Sequence, residues 1–258
     1  MLSVYAGPLN GDGDTSAHRV WQRHPDHPYY AASTMKVTVL AALHRSPYVP
    51  DRQVELRNEF TSAVPSPPYA IPADLAAEDP GTWRMLGRPV TLRWLARRMI
   101  GHSSDLATNA LLELLGCAAA QEIWRLAGAR HSTVRRGIED AAAREAGVTN
   151  LVTAADLARL LRWLPAELLG PLAANVHRVD LAAGLPPGTR IAFKNGWVTG
   201  IRHSAGIVFP HDAPPYVLSV CYAGPLANGR ATGDPAARLL ARISARAWAH
   251  RHALAAPR

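Results

Sequence analysis

Residues 2–11 read LSVYAGPLNG, and residues 218–229 repeat the pattern as LSVCYAGPLANG. Each is an apolar, β-prone run of strand length that ends in a Gly-Pro turn. A strand–turn unit used twice does not make a solenoid. Placed near both ends of the chain, it implies that the first and last strands share one sheet.

The surrounding sequence extends that expectation. Residues 2–9 and 18–24 predict a β-hairpin across the Gly/Asp-rich NGDGD turn, followed by the turn-like HPDHPYY. After the PPG turn at 186–188, RIAFKNGW, HSAGIVFP and YVLSVCYAG predict three short strands. Asp234-Pro235 supplies an N-cap and N1 for a closing helix to about His252. Between these blocks the period changes to that of helices: Ser33–Leu43, 91–99, 104–115, 121–127 and 153–164. Residues 47–82 are proline-rich and aperiodic, which predicts a long surface excursion. The expected fold is α/β (α+β), an antiparallel sheet flanked by helices. Residues 1–38 plus 186–258 form the sheet domain, an all-α domain spans 39–185, and the active site lies between them.

Composition narrows the function classes. Apolar residues are 48% and charged residues 19% of the 258, too core-rich for a disordered chain. No apolar run approaches the ~18–20 residues of a membrane span. The N-terminus has no basic region, long apolar stretch or A-x-A site, so a cytoplasmic location is expected. The net charge of +8 comes from scattered arginines without interleaved aromatics, which argues against nucleic acid. Arg238, Arg242 and Arg246 form a helical stripe, read as a solvated basic face. Cys117 and Cys221 fit no zinc spacing and are expected to be buried free thiols in different subdomains.

Of the 28 basic residues, 26 are Arg and only Lys36 and Lys194 are Lys. In a chain this biased, a retained Lys points to a job Arg cannot do. Lysine is compact and loses its proton readily on burial, whereas Arg stays charged. Ser33-Thr34-Met35-Lys36 places a hydroxyl and an amine one helical turn apart at a helix start. There the free Ser33 N–H and the positive helix end could hold a developing oxyanion. The bland alternative is an N-cap serine with a snorkelling lysine. Lys194-Asn195-Gly196 sets a charge inside an apolar strand beside a Gly, where a ligand or another backbone can approach closely. Its alternative is an edge-strand lysine that discourages aggregation.

With these motifs the sequence resembles the serine β-lactamases and penicillin-binding proteins, most closely class A. Their signatures are S-x-x-K, S-D-N and K-T-G. They correspond in order to Ser33–Lys36, Ser103-Ser104-Asp105 and Lys194-Asn195-Gly196. Asn109, six residues after Ser103, matches a structural asparagine of the family and favours Ser103 over Ser104 as the anchor. The resemblance spans nearly the whole chain apart from an N-terminal helix. It implies a β-lactamase/transpeptidase-like fold and a serine hydrolase acting on a small-molecule acyl substrate, without metal or organic cofactor. Ser33 is then the nucleophile, Lys36 its base, Ser103 a proton relay, and Lys194 a source of positive potential. The Ser33 and Trp197 N–H groups form the oxyanion hole, and Arg202 or His203 receives a substrate carboxylate. Glu139, six residues after Thr133, matches the family's deacylating base, with adjacent Asp140 as the alternative.

Two departures bear on activity. Asp105 stands where the family has an asparagine, so a carboxylate replaces an N–H donor. Asn195 stands where the family has Thr or Ser, removing a hydroxyl that helps hold substrate. Efficient hydrolysis of ordinary penicillins is therefore not expected, and a ligand-binding or acyl-trapping protein is the alternative.

Overall fold

The computed structural model describes residues 1–9 and 20–255. The two copies of the strand–turn unit pair with each other. Leu2–Pro8 runs antiparallel to Tyr216–Asn228, with Leu2 opposite Tyr222 and Ala6 opposite Leu218. Trp21–Arg23 lies along the other edge of Leu2–Pro8, while the expected NGDGD turn falls outside the described residues. Beyond Tyr216–Asn228 comes Arg190–Phe209, one continuous extended segment where two strands were expected. RIAFKNGW and HSAGIVFP are its two halves. Gly200, at φ +82°, lets the segment double back, bringing Phe193 against Gly206 and Arg190 within 4.5 Å of the Phe209 ring centre.

Alternate side chains of a strand face opposite ways, so the sheet divides the core in two. Val217 and Cys221 face the helical block with Tyr5 and Ala192. Leu218, Val220 and Tyr222 face Leu240 of the closing helix, Pro235–Ala249. Asp234 caps that helix by accepting from the Ala236 N–H, and Pro235 sits at N1 as expected. The helix stops at Ala249, and a separate short helix, Arg251–Ala255, follows. Arg238, Arg242 and Arg246 are exposed. Cys221 is fully buried in its strand; Cys117, only half-buried, begins a helix, and both are free.

Between the strands lie the helices Lys36–Arg45, Leu92–Gly101, Asp105–Leu115, Cys117–Leu126 and Ala154–Trp163. Thr91, Ser104 and Thr153 cap three of them with side-chain oxygens. Ser33 does not cap the first. It lies inside a 3-10 turn, Ala32–Met35, entered through Ala32 at φ +44°. Residues 47–82 are also more than a surface excursion. Leu56, Phe60 and Ile71 are buried in the helical core, and Gln53–Glu55 pairs with Pro89–Thr91. The prolines break periodicity without preventing burial, and the segment ends in the 3-10 turn Ala73–Glu78 beside the cleft. Among the described residues, no helix is long and apolar enough to cross a membrane.

Candidate active site

A cleft of about 540 Å3, within the usual range for small-molecule sites, is lined by Ser33, Ser103, Asp105, Glu139, Gly196 and Trp197 among others. Ser33 enters it from the turn preceding Lys36–Arg45. The strand carrying Lys194 passes against that turn so closely that only glycine fits at 196. A Cβ there would lie 2.6 Å from the Ser33 nitrogen and 3.0 Å from the Thr34 nitrogen. The Gly of the third motif thus serves close backbone approach, as its strand position predicts.

Lys36 and Lys194 are both fully buried. Lys36 Nζ donates to the Ser103 carbonyl at 2.5 Å, to Asp105 Oδ1 at 2.6 Å and to Ser103 Oγ at 3.3 Å. Lys194 Nζ donates to Ser103 Oγ at 3.0 Å and to the Asn195 carbonyl at 2.7 Å. Burial, followed by the nearby Lys36, pushes the Lys194 amine well below the usual lysine range. The two lysines of the chain therefore meet at one hydroxyl. That hydroxyl is Ser103, since Ser104 is buried and its side chain accepts from the Ala107 N–H as a helix cap. Ser103 holds φ +58° and Glu139 φ +61°. With Ala32, three non-glycine residues at the cleft occupy the left-handed region, which costs about 1–3 kcal/mol each and marks functional sites.

Glu139 and Asp140 have separate roles. Asp140 is buried, caps Ala141–Glu145, and accepts from the Ser62 hydroxyl and the Ala63 N–H. Glu139 lines the cleft, with only a distant contact to Arg144 at 4.0 Å. Asn109 fixes this loop, donating to the Ile138 carbonyl and accepting from the Ile138 N–H, each at 2.8 Å.

Three residues expected to face substrate are turned elsewhere. Arg202 is fully buried, paired with Asp180 at 2.6 Å and Asp234 at 3.2 Å, and donates to the carbonyls of Arg230 and Ala231. It holds the loop that lines one wall of the cleft instead of lining the cleft itself. Its guanidinium also lies 4.5 Å from the Trp197 ring centre, whose edge-on neighbour is His177 at 5.4 Å. His203 is fully buried between the Tyr30 carbonyl and the Tyr222 N–H, and burial drives it down to about 4, so it stays neutral. Asn195 is buried, donating to the His177 carbonyl and accepting from Asn175. A strand reverses its side chains at each residue, so Lys194 and Asn195 face opposite ways.

Tyr30, Glu78, His102 and His177 also line the cleft, and no motif or spacing in the sequence points to them. Glu78 comes from the proline-rich segment read as a surface excursion, and only the tertiary fold brings it there. The residue is exposed, but partial desolvation at the cleft wall, then Asp105, push its carboxyl up despite the counteracting Lys36. Among the described residues, no cluster of three or more His, Cys, Asp or Glu could hold a metal ion.

The profile of a family described as "Beta-lactamase enzyme family" matches residues 5–251. Among solved structures, a class A β-lactamase from Mycobacterium abscessus superposes with a TM-score of 0.75 at 21% identity, covering 96% of this chain and 94% of that one. A β-lactamase from Sphaerobacter thermophilus gives 0.74 at 20% identity, covering 100% and 93%. PBP-A gives 0.72 at 20% identity, covering 96% and 90%. No curated protein sequence matches significantly.

Proposed function

This chain belongs to the β-lactamase enzyme family, and from that premise we propose that it is a serine hydrolase forming an acyl-enzyme at Ser33 with a small β-lactam, ester or amide. The observation that carries this reading is the convergence of Lys36 and Lys194 on Ser103 Oγ, in the cleft that Ser33 lines. In this mechanism Ser33 Oγ attacks the substrate carbonyl carbon while its proton passes to Lys36 Nζ. The oxyanion is held by the Ser33 and Trp197 N–H groups. As the bond to the leaving group breaks, Ser103 Oγ gives that group its proton and recovers one from Lys36. Lys194 donates to Ser103 Oγ throughout and adds positive potential when protonated. Water then attacks the ester as Glu139 takes its proton, and Glu139 passes that proton on to Ser33 Oγ, which departs as the alcohol.

Asp105 modifies this scheme. Its Oδ1 accepts from Lys36 Nζ at 2.6 Å, so the amine that is to take the Ser33 proton is already engaged. That contact also favours a second reading, a protein that binds or traps acyl groups with little turnover. Intact-protein mass spectrometry after mixing with a penicillin or an activated ester separates the two. An adduct on the wild type that clears with time, and is missing in Ser33→Ala, supports hydrolysis. A permanent adduct supports trapping. No adduct with either probe supports docking alone.

A further inference from the structure

Deepening the hydrolase reading, on which it rests, we propose that His177 is a positioning residue that keeps Ser103 Oγ aimed at the leaving group. Ser103 needs such support. It holds φ +58°, a left-handed conformation that a non-glycine residue keeps only where its surroundings impose it. That angle records how the His102 carbonyl carbon is turned about the Ser103 N–Cα bond. A donor that grips the planar peptide through the His102 carbonyl therefore acts on it directly. His177 Nε2 is that donor, at 3.2 Å. A carbonyl can only accept, so the ring carries its proton on Nε2. On the other side, Lys36 Nζ grips the Ser103 carbonyl at 2.5 Å. Both peptide planes that flank Ser103 are thus pinned, with its Oγ 3.0 Å from Lys194 Nζ and 3.3 Å from Lys36 Nζ.

The pin is itself anchored to the third motif. The His177 N–H donates to Asn175 Oδ1 at 3.0 Å, and the His177 carbonyl accepts from Asn195 Nδ2 at 3.1 Å. Asn175 Nδ2 donates in turn to Asn195 Oδ1 at 3.3 Å, which closes a ring of three residues. The imidazole lies edge-on to Trp197, with ring centres 5.4 Å apart. Asn195, which departs from the hydroxyl residue of the family pattern, has a task here: it fixes His177 instead of reaching substrate. Burial, aided by nearby Lys194, holds the imidazole below the usual histidine range despite the His102 carbonyl. At neutral pH it is an uncharged ring with one N–H, and that N–H is spent on His102.

The test pairs two esters that share one acyl group, 4-nitrophenyl and 4-methylphenyl hexanoate. They match in size, but 4-methylphenolate is the more basic leaving group and depends more on the proton that Ser103 gives. His177→Phe keeps a flat ring and removes the donor; His177→Gln returns an N–H near the Nε2 position. In His177→Phe, kcat/KM should fall about five- to tenfold more on the 4-methylphenyl ester, the scale of one lost hydrogen bond. His177→Gln should bring the ratio of the two esters back toward the wild-type value. Loss of folded enzyme cancels in that ratio, because both esters report on the same molecules. An unchanged ratio in His177→Phe, or one that His177→Gln fails to restore, overturns the positioning role but leaves the hydrolase reading standing. Wild-type rates no higher than those of Ser33→Ala on both esters overturn both.

Discussion

Arg202 and the pair Lys36–Lys194 are all fully buried beside one cleft, yet their surroundings differ in kind. Arg202 meets two fully buried carboxylates and two carbonyls, which use most of its donors. The lysines share one hydroxyl, and among the described residues Asp105 is their only direct carboxylate partner, itself open to the cleft. A buried charge with a full set of partners holds backbone in place. Lys36 has three acceptors and Lys194 two, but the pair shares one carboxylate. Buried charges short of counter-charge are costly to the fold, and such groups concentrate where protons must move. Arg suits the first task because its fork stays charged, and Lys the second because its proton is labile.

The largest expected effect tests the lysine side. Ser33→Ala should lower turnover of an activated ester by at least about 10³-fold, and Lys36→Arg should be as damaging as Lys36→Ala. Near-wild-type rates in Lys36→Arg, measured by steady-state kinetics, would remove Lys36 from the role of base. On the arginine side, Arg202→Ala leaves Asp180 and Asp234 unpaired and should cost about 3–5 kcal/mol in urea denaturation. A loss below about 1 kcal/mol, the scale of a surface ion pair, would erase the contrast between the two clusters.

A third prediction concerns pH. Burial lowers the folded-state pKa of His203 to about 4, below the ordinary ~6.5 of an unfolded chain. Between those values the unfolded chain binds the proton that the folded one refuses. Stability is therefore full above about pH 6.5 and falls as pH drops toward 4, by up to about 3 kcal/mol from this residue. Denaturation curves at pH 7 and 4.5 should show a smaller pH-dependent loss in His203→Gln than in the wild type. Equal losses would mean that His203 titrates normally.

The smallest effect sharpens the role of Asp105. Asp105→Asn removes the carboxylate that accepts from Lys36 and places an amide donor in the cleft. One charged hydrogen bond of about 1.5–3 kcal/mol corresponds to about 10- to 150-fold in rate if fully expressed. Stopped-flow acylation by a chromogenic cephalosporin should quicken in Asp105→Asn. Equal rates would make Asp105 a structural partner of Lys36 and nothing more.

Much of this molecule was legible in one dimension because its signals are local. The repeated LSVYAGP/LSVCYAGP unit announced that the chain's ends share a sheet, and the structure pairs the two copies. The scarcity of lysine singled out Lys36 and Lys194, and the glycine after Asn195 announced a close backbone approach. Caps at Thr91, Ser104, Thr153 and Asp234 act within a few residues, so pattern alone finds the helices they start. The direction in which a charged side chain points depends on partners far away in sequence. Arg202 looked free to meet substrate until Asp180 and Asp234 closed around it, and Asn195 until Asn175 and His177 did. Glu78 carried no sequence signal because its place in the cleft depends on how a proline-rich segment packs through Leu56, Phe60 and Ile71. Composition and spacing therefore determined which residues this chain holds ready. Tertiary packing, by satisfying some buried charges and leaving others short, decided which of them face the cleft.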